Sequence, residues 1–143
     1  MATSATSAYL RAAGIGAVSG LRTFTAPAAT LGARDNLWTG LVTALAAGEI
    51  LADKLPMAPS RLLPPALAAR IVAGGACGSV VAGRFEGSRA VGAVLGALCA
   101  IASAYAGYGL RMALTHGKWL PNVPAGLVED GIAVWGARTA VAE

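Results

Sequence analysis

The stretch AVGAVLGALCAIASAYAGYGL, residues 90–110, is uncharged throughout. Wound as a helix it is long enough to cross a hydrocarbon core of about 30 Å. The rest of the composition agrees with that solvent. Of the 143 residues, 56% are hydrophobic and only 13% charged, whereas an average soluble domain carries roughly a quarter charged residues. So few charges cannot coat a water-soluble globule of this size. Residues 1–143 therefore read as a single integral membrane domain, all-α and polytopic. A soluble bundle with a buried helical core is the lesser alternative.

Working outward from residues 90–110, the polar and proline-rich joints cut the chain into about five transmembrane segments, near 10–32, 36–54, 62–83, 89–112 and 120–139. Asn36 is placed to cap the second segment. Lys54 to Arg61 holds two prolines and two positive charges, and Pro64-Pro65 suits the opening turn of the third segment, whose first amides need no helical partner. Arg84 to Arg89 and His116 to Asn122 make the later joints, with His116 expected in a loop. The N-terminus, MATSATSAYLRAAG, opens on small polar residues rather than the charged start of a secretory signal, so the first segment is expected to be retained.

Several patterns follow from a lipid setting. Glycines recur four apart at Gly16/Gly20, Gly74/Gly78 and Gly92/Gly96, spacing that lets helix backbones approach closely in a membrane. Trp38, Trp119 and Trp135 fall near segment ends, where indole favours the headgroup level. Cys77 and Cys99 sit in apolar stretches with no ligand-like spacing, as small hydrophobes, and no disulfide, metal or cofactor is expected. The net charge of +4 comes from singly scattered Lys and Arg, which excludes nucleic acid as a partner. Threading five segments alternately puts Arg11, Lys54, Arg61 and Lys118 on one side and Arg34, Arg84, Arg89 and Arg138 on the other. That balance gives no orientation. It fits either dual insertion, as an antiparallel homodimer or higher homo-oligomer, or an orientation set by other features.

Gly-Leu-Arg occurs at 20–22 and again at 109–111, and Gly-Leu-Val at 40–42 and 126–128, in the same order. Pairing segments 1–2 with 4–5 around segment 3 would make an inverted-topology repeat, an arrangement common in transporters. The Gly-Leu-Val register does not superpose Glu49 on Glu129.

The chemistry is carried by charges inside these segments. A charge at the centre of a membrane helix costs roughly 2.5 to 3.5 kcal/mol on insertion scales, so Arg22 and Arg70 need partners. Glu49, Glu129 and Asp130 supply the opposite sign at comparable depth, with Glu49 and Asp53 sharing one helix face. Glu129 and Asp130 diverge by about 100°, so one partner does not satisfy both. Pro27 breaks the first segment and frees carbonyls near residue 23, which the Thr23 and Thr25 hydroxyls are placed to help satisfy. A half-helix end bearing Arg22 suits an anion, from the protein or from a ligand. No nucleophile set, phosphate loop or metal cluster is visible, so no catalytic residue is assigned. A lipid-modifying enzyme is the minority reading, resting on Asp53, Lys54, Ser60 and Arg61 at the interface.

Gly20 to Pro27, Glu49-x-x-x-Asp-Lys-Leu-Pro56 with Pro59-Ser-Arg61, Gly107-Tyr-Gly-Leu-Arg111 and Glu129-Asp130 together resemble a family of small bacterial integral membrane proteins catalogued as domain of unknown function 4126. The resemblance covers nearly the whole chain and implies a compact helical protein; it brings no reaction or substrate. The sequence thus predicts a multi-pass protein of the bacterial cytoplasmic membrane, with Arg22, Glu49, Arg70, Arg111, Glu129 and Asp130 gathered in one polar interior. That interior reads as a transporter or channel site for a small ion or solute, or as a purely structural ion-pair network in an assembly protein.

Overall fold

A computed structural model describes residues 2–31, 37–52, 63–116 and 122–142. Among the described residues the chain is all-helical, in six helices: α1 (Ala2–Leu21), α2 (Thr25–Leu31), α3 (Leu37–Ala52), α4 (Pro64–Arg84), α5 (Arg89–His116) and α6 (Asn122–Val141).

Helices α4 and α5 form an antiparallel hairpin. Pro64 and Pro65 occupy the first turn of α4, as expected from their missing amides. The helix ends where the Phe85 amide reaches back to the carbonyls of Val81 and Ala82 and the Gly87 amide to Ala82. Glu86 between them takes a positive φ of 59°, the left-handed step that closes many helices.

All three glycine pairs lie where α1, α4 and α5 meet. A Cβ added at Gly74 would stand 2.8 Å from the Gly96 carbonyl oxygen and 2.7 Å from the Ala100 Cβ. At Gly16 it would run into Gly96, at Gly20 into the Ala100 carbonyl, and at Gly78 into Gly92. Backbones thus touch directly, and Ser103 of α5 adds a hydrogen bond from its hydroxyl to the Ala17 carbonyl at 2.8 Å. Helix α6 packs antiparallel to α1, with Gly14 facing Ala140 and Gly136 facing Val18. Arg11 Nη1 donates to the carbonyls of Thr139 and Ala140, each at 3.4 Å, and to that of Ala142, closing the α6 C-terminus, and its guanidinium lies 4.2 Å over the Phe85 ring.

The first predicted segment is two helices. Helix α1 starts at Ala2 and stops at Leu21, and after a three-residue break α2 turns back. The direction is fixed by α4: Arg70 holds residues 20 and 21, whereas Arg84, fourteen positions further along α4, donates to the Thr30 carbonyl at 2.6 Å, with the Thr30 side chain beside Cys77. Ala26 joins Ile15, Val18, Cys77, Val81, Ala133 and Ala137 in the core between α1, α4 and α6. The α1–α2 unit is therefore a helical hairpin. As a result Arg11 lies at the same end of the bundle as Phe85 and the α6 C-terminus, so the alternate threading that placed it opposite Arg84, Arg89 and Arg138 does not hold. Helix α5 runs unbroken through Gly109–Arg111 to His116, so the second Gly-Leu-Arg has no break to match the first, and His116 ends a helix rather than lying in a loop.

Two stretches among the described residues are long and apolar enough to cross a membrane: Pro64–Arg84 and Arg89–Leu110. The other expected spans fall short for visible reasons. Helix α3 has 16 residues, α6 carries Glu129, Asp130 and Arg138, and α1 is diluted by Thr3, Ser4, Thr6, Ser7 and Arg11.

If backbone contact at the glycines sets the packing, Gly96→Ala should destabilise the protein by about 1 to 3 kcal/mol through overpacking. Gly109→Ala, in open space, should be neutral or stabilising by up to about 1 kcal/mol. Thermal unfolding in detergent measures both, and equal effects would contradict the packing.

Candidate functional site

The chain break at Arg22-Thr23-Phe24 organises the site. Arg22 still closes the last turn of α1, its amide bonding the Val18 carbonyl at 2.8 Å. Beyond it the helical partners part company. In a continuous helix the amides of Thr23 and Phe24 would bond the carbonyls of Ser19 and Gly20. Here they donate to one carboxylate instead, Thr23 to Glu49 Oε1 at 2.8 Å and Phe24 to Glu49 Oε2 at 3.0 Å. The carbonyls of Gly20 and Leu21 accept from Arg70 Nη1 at 2.7 and 3.4 Å. A side chain of α3 thus holds the freed donors and one of α4 the freed acceptors.

These two side chains are themselves linked, with Arg70 Nη2 3.6 Å from Glu49 Oε1. The Ser19 hydroxyl donates to the Arg70 carbonyl at 3.0 Å, tying α1 to α4 at the same level. Helix α2 then begins with the Ala28 amide on the Phe24 carbonyl at 3.0 Å. Pro27 falls in its first turn, where an absent amide costs nothing.

Arg22 is 1% exposed and Arg70 4%. Arg22 Nη2 forms a buried ion pair with Asp130 Oδ1 of α6, and its Nη1 reaches the Glu49 backbone carbonyl at 3.4 Å. The cluster therefore balances two guanidinium groups with two carboxylates, each pair bridging different helices. Such pairing is what permits charge at this burial.

The sequence-predicted residues divide clearly. Arg22, Glu49, Arg70 and Asp130 are brought together, and Thr23 joins them through its backbone amide, where a hydroxyl role was expected. Thr25 is buried at the start of α2. Glu129 diverges from Asp130 as the helical angle requires; it is half-buried against α5, its Oε1 3.5 Å from where a Cβ on Gly107 would stand. Of the two acidic neighbours expected for the Arg22 side chain, Glu49 meets it through its backbone carbonyl, and Asp130, next to Glu129 in α6, forms the buried ion pair with it. Asp53 and the Lys54 to Arg61 loop lie outside the described residues, as does the side chain of Arg111 in α5. Among the described residues no three His, Cys, Asp or Glu gather as metal ligands would.

The contacts of Ser19 with α4 and of Arg84 with α2 are not legible in the sequence. Ser19 is one of several serines in Ala/Gly-rich helix, and Arg84 reads as a loop charge. Their partners are backbone carbonyls, which leave no signature in composition.

The Arg22–Asp130 pair should show strong coupling. Replacing Arg22 by Ala strips a buried carboxylate of its guanidinium and should cost about 3 to 5 kcal/mol, whereas Arg22→Ala combined with Asp130→Ala should be no less stable than Arg22→Ala alone. Additive losses in a double-mutant cycle, measured by unfolding in detergent, would refute the pairing. Compared with protein families, curated proteins and solved structures, the chain matches none.

Proposed function

We propose that this chain is a multi-pass protein of the bacterial cytoplasmic membrane whose charge cluster serves a small ion or solute. The observation that carries the reading is an inverted distribution of side chains. Arg22, Arg70, Asp130, Ser19, Thr25 and Thr30 are buried, while Leu37 is 85% exposed, Val72 and Trp135 70%, with Leu98, Leu110 and Ile132 also on the surface. Water-soluble proteins bury such apolar side chains and leave charges outside. Lipid reverses the preference for both.

In this reading α3, α4, α5 and α6 cross the bilayer, and the α1–α2 hairpin enters and leaves from one side. The five sequence segments all lie in the membrane, but the first does not traverse it. Interrupted helices in membranes survive only where protein or a polar cavity satisfies their backbone, and in transporters they mark the substrate or ion site. Glu49 fits that role because its helix is the least embedded of the set: among the described residues Ala46 is the one buried side chain of α3, while Leu37, Leu41 and Leu45 are exposed. Exchange of the Glu49 carboxylate for a solute anion would release the amides of Thr23 and Phe24. The resemblance to the small bacterial membrane family belongs to the same proposal. So does the inverted repeat, at the level of sequence motifs alone.

A second reading is favoured by the partners the cluster already holds: the Glu49 carboxylate and Arg70 Nη1 are both engaged with backbone groups of the break. On that account the charges serve assembly only, joining α1, α3, α4 and α6.

Two measurements decide. Alkaline carbonate washing should leave the protein in the membrane pellet; release into the supernatant rejects the membrane assignment. In liposomes, proton or small-anion flux should be present for the wild type and reduced at least tenfold by Glu49→Gln, with a smaller loss for Glu129→Gln. No flux for any ion tried, or flux unchanged in both variants, leaves the assembly reading.

A further inference from the structure

A groove of about 690 Å³ opens between the first half of α1 and the last turns of α6, away from the charge cluster. Its chemistry changes along its length. Thr6, Ser7 and the Arg11 guanidinium line it towards the α1 N-terminus, and Leu10, Gly14 and Trp135 line the remainder. We propose that this groove binds one anionic phospholipid, phosphate at Arg11 and an acyl chain along Leu10, Gly14 and Trp135; the proposal rests on the membrane assignment made above.

Charge complementarity selects the headgroup. The groove lining contains one formal charge, and it is positive. Arg11 is held in place by carbonyls of the α6 C-terminus and by the Phe85 ring. Those carbonyls carry partial charge only, and no carboxylate among the described residues pairs with it. Arg84, Arg89 and exposed Arg138 lie at the same end of the bundle, against Glu86 alone in the described residues of that end. Basic side chains near a membrane surface favour anionic lipids. The shape selects the tail. Gly14 leaves the floor low beside Ala140, and Trp135 stands 70% exposed as an apolar wall ending in a polar N–H. The Thr139 hydroxyl is turned onto the carbonyls of Trp135 and Gly136, at 3.1 and 3.0 Å, which leaves little competing polarity in the channel.

The test uses full-length protein carrying W38F and W119F, so that Trp135 alone reports, in phosphatidylcholine vesicles containing lipids brominated on their acyl chains. Brominated phosphatidylglycerol should quench Trp135 with an apparent affinity at least about fivefold above brominated phosphatidylcholine, the factor one basic side chain near an anionic surface provides. Free glycerol phosphate at matched concentration should not reverse the quenching. Gly14→Leu, whose Cβ meets Ala140 at an ordinary 3.9 Å, should fill the floor and abolish the preference while helix content and carbonate resistance stay unchanged. Equal quenching by both lipids in the carbonate-resistant wild type overturns the lipid site and leaves the membrane assignment standing. Reversal by glycerol phosphate means the phosphate alone is recognised, and cross-linking of two copies through position 135 without selective quenching means a second copy covers the groove; either also overturns the proposal. Protein lost to the carbonate wash overturns both it and the membrane assignment.

Discussion

One carboxylate and one guanidinium hold the break in the first helical segment. Without Glu49 on the amides of Thr23 and Phe24, and Arg70 on the carbonyls of Gly20 and Leu21, the chain would leave polar backbone groups of the break without partners, at a cost of about 1 to 3 kcal/mol for each that is buried. With them, α1 can stop midway and α2 can double back. The rest of the arrangement depends on that reversal. It brings Thr30 to Cys77 and Arg84, and it lets the N-terminal half of α1 share an end of the bundle with the C-terminus of α6.

The arginines are retained inside because each does two tasks with one fork. Arg70 donates to the freed carbonyls while facing Glu49, and Arg22 pairs with Asp130 while reaching the Glu49 carbonyl. A lysine, with a single ammonium on a flexible stem, could not span these partners as a planar fork does. Both pairs cross between helices far apart in sequence, so the cluster joins α1, α3, α4 and α6 in one step.

Glycine supplies the complementary condition. Arg70 reaches the freed carbonyls at the end of α1 where α1, α4 and α5 approach with backbones in contact at Gly16, Gly20, Gly74, Gly78, Gly92 and Gly96. Side chains larger than hydrogen there would push the helices apart and lengthen the bridges that satisfy the break. Small residues inside and large apolar residues outside are thus one packing solution.

The sequence by itself determined the helical class, the segment limits to within a few residues for α3, α4 and α6, the close packing at the glycine pairs, and a charged set of Arg22, Glu49, Arg70, Arg111, Glu129 and Asp130, of which Arg22, Glu49, Arg70 and Asp130 meet. These follow from local composition and from the rule that buried charge needs a partner. Which charge meets which was not legible there: that Asp130 pairs with Arg22 depends on how α6 is rotated against α1. Nor was the reversal of α2. Pro27 signals a disturbed helix, but a kink and a full turn leave the same sequence, and only the tertiary positions of Glu49 and Arg70 make the turn the satisfied conformation. The placement of Arg11 beside the α6 C-terminus came from that same reversal, which changes the side from which every later helix is counted.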